Sequence, residues 1–66
     1  MRKAFQVKDL DLQKTIDFTP VNDFSWNVRT KSMYSTSFRS MTNEEVEKSK
    51  LYFLSQWMHF DLEYKD

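Results

Sequence analysis

Met41-Thr42-Asn43-Glu44-Glu45-Val46-Glu47-Lys48-Ser49-Lys50-Leu51-Tyr52-Phe53-Leu54-Ser55-Gln56-Trp57-Met58-His59-Phe60-Asp61-Leu62-Glu63-Tyr64 is the stretch on which the fold turns. Thr42 followed by Glu45 has the spacing of a capping box, with Thr42 as N-cap and Glu45 at N3. Met41 and Val46 then stand where a hydrophobic staple forms. Glu44, Glu45 and Glu47 suit the positive end of a helix dipole. No Gly or Pro interrupts the run, so the spacing predicts one helix over 42–64, of about 22 residues and ~33 Å.

On a helical wheel, Val46, Phe53, Trp57, Phe60 and Tyr64 fall on one stripe about 40° either side of Val46. Leu51, Leu54, Met58 and Leu62 form a second stripe beside it. Together they span about 200°, wider than the apolar arc of little over 100° that one sheet covers. The second stripe is therefore the candidate protein-binding surface: Leu51, Leu54, Met58 and Leu62. A curved sheet that wraps both stripes is the structural alternative.

Outward from the helix, residues 1–41 read mainly as β structure. Phe24, Trp26 and Val28 alternate with Ser25, Asn27 and Arg29, the period of a half-buried strand. Tyr34, Thr36 and Phe38 alternate in the same way, with Thr30-Lys31-Ser32 as a hairpin loop between the two. Thr15-Ile16-Asp17-Phe18 alternates upstream, and Pro20-Val21-Asn22-Asp23 supplies turn chemistry. Phe5 and Val7 give way to Leu10 and Leu12 on the other phase. That shift at Lys8-Asp9 is a bulge, a turn or a helix start. The expected architecture is α+β: a small antiparallel sheet of three to four strands packed against one long C-terminal helix. It forms a single domain over 1–66, β-rich to about 41 and helical over 42–64.

The 66 residues include no Gly and no Cys. Without Gly there is no P-loop, dinucleotide fingerprint, nucleophile elbow or EF-hand loop. Any positive-φ position falls to a residue such as Asn22, Asp23, Asn27 or Asn43. Without Cys there is no disulfide framework or thiolate metal site, and a reducing, cytoplasmic location is expected. Nothing resembles a signal peptide. The longest apolar run, Leu51-Tyr52-Phe53-Leu54, is far short of the ~20 residues a membrane span needs, so a membrane partner is not expected.

His59 falls on the polar side of the predicted helix, with no Ser or Cys at a suggestive spacing. Asp9-x-Asp11 and Asp61-x-Glu63 lack a third metal ligand. No enzyme, cofactor or small-molecule substrate is expected.

Ten cations balance ten acids, but unevenly along the chain. Arg2, Lys3 and Lys8 open it, four Asp and one Lys follow, and residues 24–43 carry only Arg29, Lys31 and Arg39. Complementary segments neutralising each other is the plain reading. The sharper one is a single-stranded nucleic-acid surface over 26–39, using Trp26, Arg29, Lys31, Tyr34 and Arg39. The main expectation is a small non-catalytic protein-interaction module that binds and blocks or regulates a larger protein, and that also forms a homodimer. Oligomerising supplies burial that small domains without staples lack. Inhibitors encoded by bacteriophages and mobile elements are proteins of this general type, an analogy of scale only.

Overall fold

A computed structural model describes residues 3–65. Arg2, part of the basic N-terminal block, lies outside them. Five strands and one helix follow in the order β1 (Phe5–Asp9), β2 (Lys14–Pro20), β3 (Ser25–Lys31), β4 (Thr36–Thr42), α1 (Asn43–Ser55) and β5 (Phe60–Tyr64). The fold is α+β, with one antiparallel sheet in the order β4-β3-β2-β1-β5. β1 to β4 form a meander. The chain then crosses one face of the sheet as α1 and pairs β5 with the far side of β1, Val7 opposite Leu62.

The helix begins as its sequence dictates. The Glu45 amide donates to Thr42 Oγ1 at 3.2 Å, and the Thr42 amide donates back to Glu45 Oε1 at 3.1 Å. Its length departs from expectation: α1 has 13 residues and lies mid-chain. The long C-terminal helix over 42–64 is therefore corrected, as is the sheet of three to four strands. A helix of ~33 Å would match the molecule's longest dimension of 32 Å, beyond any sheet it could cover. Gln56 caps α1 at φ −107°, its amide reaching back to the Tyr52 and Phe53 carbonyls. Phe60, Leu62 and Tyr64 alternate as a strand instead of continuing the stripe.

Side-chain oxygens do the turn work that Gly does elsewhere. Asp9 Oδ1 accepts from the amides of Asp11 and Leu12, so the phase shift at Lys8-Asp9 is a turn. Asn22 Oδ1 accepts from the amides of Phe24 and Ser25. The Ser35 amide donates to Ser32 Oγ, which places the β3–β4 loop at 32–35 and leaves Thr30 and Lys31 in β3. Among the described residues the positive φ falls on Gln13, at 55°. Asn22, Asp23, Asn27 and Asn43 do not take that role.

Phe5, Val7, Phe18, Trp26, Val28 and Val46 are the buried core, with Ile16, Met41, Phe53, Phe60 and Leu62 packed around it. Phe5 stacks on Phe18 with centroids 4.6 Å apart, Phe18 meets Phe53 edge-on at 6.3 Å, and Phe53 meets Phe60 at 4.8 Å. This aromatic chain ties sheet, helix and last strand together, each pair contributing about 0.5–1.5 kcal/mol beyond its buried area. Asn43 adds a polar clasp. Its Oδ1 accepts from Trp26 Nε1 at 2.8 Å, and its Nδ2 donates to the Asp23 carbonyl.

Leu62 therefore belongs to the core and not to an exposed helix stripe. Replacing it with Asp should put a charge against Val7 and abolish cooperative unfolding, whereas Leu54→Asp on the exposed helix side should change stability by no more than about 0.5 kcal/mol. Val46→Ala, at 1% exposure the one fully buried helix side chain, should cost about 2 kcal/mol, or roughly 8–16 °C in melting temperature. Thermal denaturation followed by circular dichroism checks all three. A Leu62→Asp protein as stable as the parent would contradict the placement of β5.

Candidate functional site

Two surfaces carry candidate functional side chains, and they lie on different sides of the molecule. The first is apolar. Antiparallel topology brings the β1–β2, β3–β4 and α1–β5 loops to one end of the sheet, because all three join strand ends of the same polarity. The first and last of these are fastened together: the Leu10 amide donates to the His59 carbonyl at 2.9 Å, and His59 Nδ1 lies 2.8 Å from Asp11 Oδ2. Leu10, Leu12, Met33, Tyr34, Trp57 and Met58 all project from this end, Trp57 at 72% and Tyr34 at 92% exposure. Leu51, Tyr52 and Leu54 extend the exposed apolar area along α1.

Of the four residues predicted to bind protein, Leu51 and Leu54 are exposed on α1 and Met58 is exposed in the following turn. Leu62 is corrected into the core, because β5 turns its side chain toward Val7. Trp57, Leu10 and Leu12 join the surface instead. Helical spacing puts Trp57 on one stripe with Val46 and Phe53, but the helix ends before it. The signal for Leu10 and Leu12 was their change of phase beyond β1.

The second surface is the sheet face that α1 leaves open. Residues directly opposite in register share a face, so Glu63, Gln6, Asp17, Arg29 and Phe38 form a row across all five strands. Asp17 is its electrostatic centre, with a side chain only 13% exposed. Gln6 Nε2 donates to its Oδ1 at 2.8 Å. Arg29 donates to its Oδ2 through Nη2 at 2.7 Å and Nε at 3.2 Å. Lys65 Nζ lies 3.9 Å from Oδ1. Partial burial pushes the Asp17 carboxyl upward, but the hydrogen bonds from Arg29 and Gln6, with the charges of Arg29 and Lys65, outweigh it. They hold the group below the ordinary carboxylate range. Beside this cluster lies a shallow recess of about 330 Å³ lined by Asp17, Thr19, Asn27, Arg29, Phe38 and Lys65.

The five residues predicted to meet nucleic acid are dispersed. Trp26 is buried and hydrogen-bonded to Asn43, which removes it as a stacking platform. Arg39 sits opposite Val28 and so on the helix side of the sheet. Tyr34 is at the loop end, and Arg29 and Lys31 remain on the open face. Phe38 alternates as a residue of a half-buried strand does, yet it is 73% exposed on this face. The cause is register: Met41 must face inward beside Trp26, which turns Phe38 outward.

Among the described residues no group of three or more His, Asp or Glu is placed to hold a metal ion, and no helix is long and apolar enough to cross a membrane. No protein-family model matches the chain, and no curated protein or solved structure shows significant similarity to it.

The depressed Asp17 pKa sets a pH dependence. The folded carboxylate holds its proton less readily than the unfolded one, whose pKa is about 3.9. Its stabilisation is thus complete above that value and is lost as pH falls through the folded pKa. Asp17→Asn should cost about 1 kcal/mol at pH 7, the partly exposed Arg29 partner limiting the effect. Urea titrations should show that deficit shrinking between pH 4.5 and pH 2. A constant gap at both ends would contradict this role for Asp17.

Proposed function

We propose that this protein is a non-catalytic protein-interaction module that binds a larger protein through its apolar loop end and the adjoining side of α1, regulating that partner by occlusion, and that the same surface lets it pair with a second copy. The observation that supports this reading is the balance of apolar residues. Among the described residues six hydrophobic side chains are buried, while thirteen large ones are exposed, nine of them on the three end loops and α1. Contiguous exposed apolar patches mark interaction surfaces, and the Trp, two Tyr and two Met among these nine are residue types enriched at such interfaces. Occlusion requires a shape-complementary surface and no chemistry.

Concentration-dependent self-association should appear in sedimentation velocity between about 5 and 500 µM, and Leu54→Asp or Trp57→Asp should abolish it without altering the melting curve. In cells, a photo-crosslinking amino acid at position 57 should capture discrete partners, and the same group at Thr19 on the open face should not. A strictly monomeric protein with identical crosslinking from both positions would overturn the reading.

A further inference from the structure

The open face of the sheet is chemically unlike the loop end, and no role proposed above uses it. We infer that the recess around Phe38 binds one nucleotide of a single-stranded nucleic acid whose backbone runs across the β3–β4 side of this face. Four features converge there.

The Phe38 ring is 73% exposed on a strand face and makes no ring contact among the described residues, so it offers a bare stacking platform. Stacking on such a ring is how single strands are held without regard to sequence. The side-chain amide of Asn27 and the hydroxyl of Thr19 line the recess with no hydrogen-bond partner among the described residues. They supply the donors and acceptors that a base edge or sugar presents. Two cations, Arg29 and Lys65, meet one carboxylate, Asp17, so the recess keeps a net positive charge beside the ring. Finally, Lys31 lies two residues from Arg29 on the same face of β3, about 6.7 Å along the strand, and makes no ion pair among the described residues. Two cations at that step suit successive phosphates of an extended strand.

The recess is shallow, so it cannot enclose a small metabolite. Its useful neighbours, Lys31 on β3 and the hydroxyls of Thr36 and Ser40 on β4, extend along the face. A chain that continues past the recess gains contacts there that an isolated nucleotide lacks. Asp61 and Glu63 place their acids on the same face at the β5 edge, which confines a polyanion to the β3–β4 side.

Fluorescence anisotropy with a labelled ten-nucleotide oligothymidylate tests this, using the intact chain. Saturable binding is expected, weakening about twentyfold between 50 and 200 mM salt, as contact with three or so phosphates requires. Phe38→Ala should weaken it by about tenfold or more, Phe38→Trp should retain it, and Lys31→Ala should lower the salt dependence. These side chains lie outside the core, so the variants should keep the parent melting curve. Leu54→Asp and Trp57→Asp should bind the oligomer normally, which separates this outcome from the fate of the protein-binding surface. No binding at 1 mM protein, unchanged binding by Phe38→Ala, or thymidine monophosphate binding as tightly as the oligomer would each overturn the inference.

Discussion

Pairing of β5 with β1 is the constraint on which the rest of the molecule depends. It converts β1 from an edge strand into an interior one and seals Val7 between Ile16 and Leu62. It also fixes the helix. β4 and β5 are the two edges of the sheet, four strand spacings or ~19 Å apart, and α1 must carry the chain between them. Thirteen residues supply ~20 Å, and the turn at 56–59 completes the crossing. A helix running on to Tyr64 would overshoot the sheet and leave the outer side of β1 bare. Lys50 reinforces the closure, its ammonium lying 4.7 Å from the Tyr64 ring centroid and 5.6 Å from that of Phe5.

Much of this was legible in the sequence, and the failures have physical causes. The capping box at Thr42 and Glu45 was readable because it depends on two side chains three residues apart and on nothing distant. The strands around Ile16-Phe18 and Trp26-Val28 were readable because their inward positions are large and their outward ones polar. The end of the helix was not. Phe53, Trp57, Phe60 and Tyr64 follow one another at steps of four, three and four, which is helical spacing, while Phe60, Leu62 and Tyr64 also alternate as a strand does. Length-dependent tertiary closure decided between the two patterns, and no Gly or Pro marked the boundary at Gln56.

The same lack of local signals hid the two surfaces. Phe38 and Met41 have opposite phases on β4, and only the register against Trp26 determines which of them turns inward. Leu62 shares helical spacing with Leu54 and Met58, yet one side of that set is core and the other is exposed. The glycine-free composition, by contrast, was informative in a direction the sequence could not specify. Asp9, Asn22 and Ser32 build the hairpin turns by accepting backbone hydrogen bonds, so only Gln13 adopts a positive φ among the described residues.

One consequence of β5 is measurable without any variant. The Lys65 amide bonds to the Ala4 carbonyl and the Leu10 amide to the His59 carbonyl, which makes Val7 and Leu62 a non-hydrogen-bonded pair between them. In such a pair the two α-protons point at each other across the strands. Nuclear Overhauser spectroscopy should therefore show a strong contact between the α-protons of Val7 and Leu62. Consecutive amide–amide contacts running unbroken from Asn43 to Tyr64, with no cross-strand signal, would contradict the closure on which this account rests.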